Sequence, residues 1–179
     1  MPYTPLHWSI AYLARGIGPS LSLPALIIST AVPDLEIPFI YVVTGGQFGR
    51  LVLHSFLGAA TLATLISVII TVFAYSSTIS YLFRLDAKTV RDRCRFSWSL
   101  VVVCLMGNLS HVLIDALHHE YNPLLFPFTY NSFDALVLMN DFVLASVIVQ
   151  FSFFALLVFF VAKEARRRPK NIWMRLLVG

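Results

Sequence analysis

Three residues of the stretch HVLIDALHH (111–119) fall at i, i+4 and i+7: His111, Asp115 and His118. On a helix they share one face. A neutral imidazole and a carboxylate one turn apart chelate a divalent cation. Zinc suits that pair best, and iron and manganese accept it too. The chain holds more groups of the same kind: His7, Asp34, Glu36, His54 and Asp141. All of them lie in or beside apolar runs. A charge at the centre of a bilayer costs about 2.5–3.5 kcal/mol. Several in one small bundle need a shared compensation. A doubly charged ion facing two carboxylates and two or three imidazoles supplies it.

Singly, each residue has a plainer reading. His111 and Asp115 pair by a hydrogen bond on many helices. His7 reads as an interfacial histidine, and Asp34 after Pro33 as a helix cap. His54 suits a bond to a neighbouring carbonyl, and Asp141 a cap for the last apolar run. His118 divides between ligand and surface, while His119 and Glu120 are expected at the surface in water. The joint pattern favours a metal site over the sum of these.

The elements that must position these groups are membrane helices. Of 179 residues, 58% are hydrophobic and 12% charged, with a mean hydropathy of +0.79. Soluble domains sit nearer half apolar and a quarter charged. Four runs are long enough to span, roughly 22–43, 51–75, 98–118 and 137–162. The first is interrupted by Pro33, Asp34, Glu36 and Pro38, so it must kink or break. A shorter segment from Thr4 to Gly18, with Tyr3, Trp8 and Tyr12 as interfacial anchors, makes a fifth. The expected fold is an all-α integral membrane protein of about five transmembrane helices. Residues 1–163 form the helical domain, and 164–179 a basic tail that suits an interfacial helix. No cleavable signal peptide is expected at the start.

Charge orients the bundle. All but one of the 13 Lys and Arg residues fall at one end: Arg15, the loop 76–97 and the tail. The exception is Arg50. By the positive-inside rule that end is cytoplasmic, the N-terminus is outside, and the candidate ligands lie in the extracytoplasmic half. The basic balance therefore concerns topology, and no nucleic-acid surface is visible. Cys94 and Cys104 have neither metal nor redox spacing, so no disulfide or thiolate site is expected.

In the order in which they occur, MPYTPLH, PDLE (33–36), HSFLG (54–58) and HVLID (111–115) resemble the membrane-bound metal-dependent hydrolases of bacteria and archaea, including a LexA-regulated type. The ligand order is also similar to that of zinc-dependent phospholipase C and its nuclease relatives. That resemblance implies Asp34, His54, His111 and Asp115 on one ion. It implies His7 with a bridging Asp115 on a second, and His118 on a further ion or as an orienting group. It further implies a prokaryotic cell membrane and a phosphoesterase acting on a lipid or lipid-linked phosphate. Asp34 and Asp115 would hold the catalytic ions. Glu36 would be general base or support for His7 or His54, with Asn140 and Asp141 behind the ligands. The aromatic outer loop 119–136 would cover the site or admit a headgroup. Two rivals are a proton or ion transporter and a protein whose metal only staples the bundle.

Overall fold

A computed structural model describes residues 4–18, 20–167 and 171–179. Tyr3, Arg168 and Lys170 lie outside the described residues. A 3-10 turn over Thr4–His7 leads into α1 (Trp8–Ile17). Ser22 caps α2 (Leu23–Ser29), its Oγ accepting from the Ala25 amide at 3.4 Å, with Pro24 in the first turn where its missing N–H costs nothing. The chain then breaks as Pro33 demands. A 3-10 turn occupies Val32–Leu35, and α3 (Glu36–Val43) resumes beyond it. Gly45 and Gly46, at φ 62° and 85°, reverse the chain where a side chain would be strained.

Ser55 caps α4 (Phe56–Phe83), which widens to π geometry over Ala59–Ala63 and Ile70–Tyr75. Asp86 caps the short α5 (Ala87–Arg93), and Ser97 caps α6 (Trp98–Ala116). An irregular segment follows to Asp141, then α7 (Phe142–Arg167) and α8 (Ile172–Leu177). There is no strand among the described residues.

Four segments are long and apolar enough to cross a membrane: Leu23–Val43, Phe56–Phe83, Trp98–Ala116 and Phe142–Arg167. With the shorter α1 beside them they make the expected bundle of about five. Several boundaries move: the second span ends at Phe83 instead of 75, the third at Ala116 instead of 118, and the last starts at Phe142 instead of 137. The second span starts at Phe56 because residues 51–55 form a turn. The last runs to Arg167, beyond the expected domain limit at 163.

The core is knitted where α1, α2 and α6 meet, through Ala11, Leu23, Ala25, Leu26, Leu100, Val103 and Cys104. α4 joins through small residues, Ala63 against Val32 and Leu53, and Ala59 against Val112 and Ala116. Small residues let membrane helices approach closely. Asn108 crosses to Ser67 on α4, its Nδ2 donating at 3.1 Å. α7 is the outlier, with only 11% of its apolar window buried. Phe151, Phe154 and Phe159 on it face outward.

The tail packs against the bundle. Trp8 Nε1 donates to the Leu176 carbonyl at 2.9 Å, and the Tyr75 hydroxyl to that of Leu177 at 2.7 Å. Leu176 and Val178 are buried. Cys94 is buried beside them, and burial pushes its thiol up to about 11, as befits an inert packing residue.

Gly107 sets the spacing of α6 and α2. A Cβ there would lie 1.8 Å from Ser29 Oγ and 2.8 Å from Ser29 Cβ. Gly107→Leu should therefore cost about 1–3 kcal/mol by overpacking. Thermal unfolding in detergent checks this, and a melting temperature equal to wild type would contradict the close approach.

Candidate metal centre

Four side chains from three separate segments meet in the half of the bundle opposite the basic loops. Asp34 comes from the break between α2 and α3. His54 comes from the turn before α4, and His111 and Asp115 from the last two turns of α6. The break does two things at once. It places Asp34 at helix depth in the bundle, and it leaves the Thr30 carbonyl available. His111 Nδ1 lies 2.9 Å from that carbonyl. A carbonyl only accepts, so Nδ1 carries the hydrogen, and in the neutral ring Nε2 is left bare.

His54 is fixed in the same way by Glu36. Its Nδ1 lies 2.7 Å from Glu36 Oε1 and donates to it. The carboxylate also accepts from the backbone amides of Leu51 (2.9 Å), Leu53 (2.7 Å) and His54 (3.2 Å). Glu36 thus folds the turn 51–54 around itself and aims His54 Nε2 inward.

The inward atoms are evenly spaced. His54 Nε2 lies 3.5 Å from Asp34 Oδ1 and 3.4 Å from Asp115 Oδ2. His111 Nε2 lies 3.5 Å and 3.4 Å from the same two atoms. The two Nε2 atoms are 3.4 Å apart. These separations are long for N–H···O bonds, whose usual length is about 2.9 Å. They are also short for four electron-pair acceptors with nothing between them. These five match edges of a tetrahedron whose centre lies about 2.1 Å from each corner, the distance of zinc to imidazole nitrogen or carboxylate oxygen, and the sixth edge, between the two carboxylate oxygens, is within 4.8 Å. The donor set and its spacing therefore fit a divalent ion held by Asp34, His54, His111 and Asp115. His54, His111 and Asp115 are buried, and Asp34 is the partly open edge.

A second group adjoins the first through Asp115. His118 and His119 could share an ion with it. His118 Nδ1 donates to the Ile114 carbonyl at 2.8 Å, which leaves a buried Nε2 with no hydrogen-bond partner. His7 stacks on His111 with ring centres 4.3 Å apart. Its Nε2 is 3.9 Å from Asp115 Oδ1, and its Nδ1 is buried without a hydrogen-bond partner.

Arg50 enters here, although its sequence position suggested only a loop cation. It is buried, with Nε 3.4 Å from Asp115 Oδ2 and its terminal nitrogen donating to His119 Nε2 at 3.1 Å. Its one signal in the sequence is its isolation from every other basic residue. His119 also departs from expectation. It is buried, not at the surface, and burial lowers its imidazole to about 2, so it stays neutral and accepts from Arg50.

Other expected roles change. Both Glu36 oxygens are engaged by donors, so it positions His54 and is not free to act as a base. Asn140 and Asp141 do not stand behind the ligands: both are exposed, and Asp141 Oδ1 caps α7 by accepting from the amides of Val143 (2.9 Å) and Leu144 (3.0 Å). Glu120 is exposed, as expected.

Fold and site together define a multi-pass membrane protein with a buried histidine–aspartate cluster of metal-binding geometry. The family model described as YdjM inner membrane protein matches residues 6–178, and the chain belongs to that family. No curated protein and no solved structure matches at a significant level.

Wild-type protein should purify with stoichiometric zinc, iron or manganese by elemental analysis. His111→Ala and Asp115→Ala should each lose it while the bundle still folds. Glu36→Gln should weaken binding by about 10–100-fold, the usual effect of removing a group that orients a ligand. Metal-free wild type that is folded and refuses added zinc would overturn the centre.

Proposed function

We propose that this inner membrane protein is a metal-dependent hydrolase, a phosphoesterase acting on a lipid or lipid-linked phosphate at the extracytoplasmic half. The observation that carries the reading is a tetrahedral acceptor set with a buried arginine, Arg50, against one of its ligands. Cation and guanidinium side by side suit a phosphoryl group. When bound, the ion would polarise a phosphoryl oxygen and lower the pKa of water towards 7.

The chain's own residues supply the remainder. The Arg50 guanidinium can pair with phosphoryl oxygens and offset charge that builds up on them. His118 is the candidate base in place of Glu36, because its Nδ1–H is held by Ile114 and its bare Nε2 can take a proton. The partly open Asp34 edge is the side from which a headgroup enters. The loop 119–136 presents Phe128 and Tyr130 outward, 83% and 61% exposed, where aromatic rings suit a membrane interface. The unpartnered Asp115 Oδ1 beside His7 favours a second ion, as the resemblance to phospholipase C implies.

The structural-metal reading has one observation in its favour: four protein ligands complete a tetrahedron, as in metal staples. Against a transporter stands the interior between α4 and α6, where the buried polar groups Asn108, Ser67 and Thr71 are neutral, and the buried acid at the far end, Glu164, is paired with Arg175.

The deciding measurement is phosphate release from lipid phosphoesters in detergent micelles. Activity should vanish with a chelator and return with zinc, and Arg50→Ala should lower kcat/KM by about 100-fold or more without loss of metal. A metal-loaded protein inert on every lipid phosphoester would favour the staple.

A further inference from the structure

At the opposite end of the bundle a cavity of about 350 Å³ opens between the ends of α1 and α7 and the tail. Four of the residues lining it are cationic, Arg15, Lys163, Arg167 and Arg175, and one is acidic, Glu164. Glu164 is fully used. It accepts from Arg175 Nε at 2.6 Å, lies 3.7 Å from Arg167 Nη1, and bonds the Tyr12 hydroxyl. Arg15 and Lys163 form no ion pair among the described residues, and Arg15 Nε is buried with no hydrogen-bond partner. Helix C-termini attract cations, each offsetting about half a charge. The ends of α1 and α7 together with Glu164 offset only part of the positive charge of the four cations. Lys163 and Arg167 are exposed at the rim of the cavity, and the Arg15 Nε is buried within it.

We propose that this cavity binds the phosphodiester headgroup of an anionic phospholipid. The surroundings choose a lipid over free phosphate. Ile17 and Leu13 on α1 and Val161 on α7, within three positions of lining residues on the same helices, are exposed at 80%, 43% and 37% and offer acyl chains an apolar surface. Basic recesses between membrane helices hold such headgroups through charge and hydrogen bonds. The site rests on nothing at the metal centre.

The test uses full-length protein in nanodiscs of phosphatidylcholine with or without phosphatidylglycerol, read by native mass spectrometry. Wild type should retain one phosphatidylglycerol after release and unfold at a higher temperature with it present. Arg15→Gln with Lys163→Gln should lose the retained lipid and the thermal shift. Arg15→Lys with Lys163→Arg should keep both, which separates loss of charge from loss of fold. Arg84→Gln with Lys88→Gln, away from the cavity, should retain the lipid. Equal retention by wild type and the neutral pair, or none by wild type, would overturn the proposal. Displacement of the lipid by millimolar inorganic phosphate would overturn its assignment to a lipid.

Discussion

Four electron-pair acceptors in a dry interior repel one another unless something positive stands between them. Asp34 Oδ1, His54 Nε2, His111 Nε2 and Asp115 Oδ2 are in that position, each nitrogen 3.4–3.5 Å from both oxygens and 3.4 Å from the other nitrogen. Much of the bundle around them serves to hold that arrangement. The Thr30 carbonyl and the Glu36 carboxylate each claim one imidazole hydrogen, which turns the opposite nitrogen inward as a bare donor of electrons. Arg50 takes up part of the charge on Asp115. With neither a cation at the centre nor protons on the imidazoles, the packing of three segments would press like against like.

The geometry depends on one interruption. An unbroken helix from Leu23 to Val43 would satisfy its own carbonyls and point Asp34 wherever the helical period sent it. Pro33 prevents that. The resulting 3-10 turn frees a carbonyl for His111 and starts a new helix at Glu36, whose side chain then gathers the turn before α4. Irregular backbone at membrane depth is tolerated where protein covers it. Here α6 supplies the cover, brought close by Gly107 against Ser29.

The helical bundle and the four central residues could be read from the chain because both rest on contrast: long apolar runs are conspicuous, and so are histidines and aspartates within them. The break at Pro33 was legible for the same local reason. What surrounds the centre was not. Arg50 is an ordinary arginine in a short polar loop until folding buries it. His119 stands next to the exposed Glu120, and nothing in their order tells which of the two turns inward. The work of Glu36 depends on backbone amides of Leu51, Leu53 and His54, and a turn of that kind has no periodic signature. Asp141 had a capping reading and a site reading open, and the geometry of the α7 start selects the cap.

The order in which the ligands occur along the chain matters for biosynthesis. Asp34, Glu36 and His54 emerge from the ribosome well before His111 and Asp115. When the spans that carry Asp34 and His54 enter the membrane, Glu36 already has its partners, but Asp34 still lacks His111. An acid in that state stays neutral or remains near water. The shell closes only once α6 is in place, so any metal held by all four residues would enter late in assembly. α7 contributes none of the four central ligands, so the shell is complete before the last span is made.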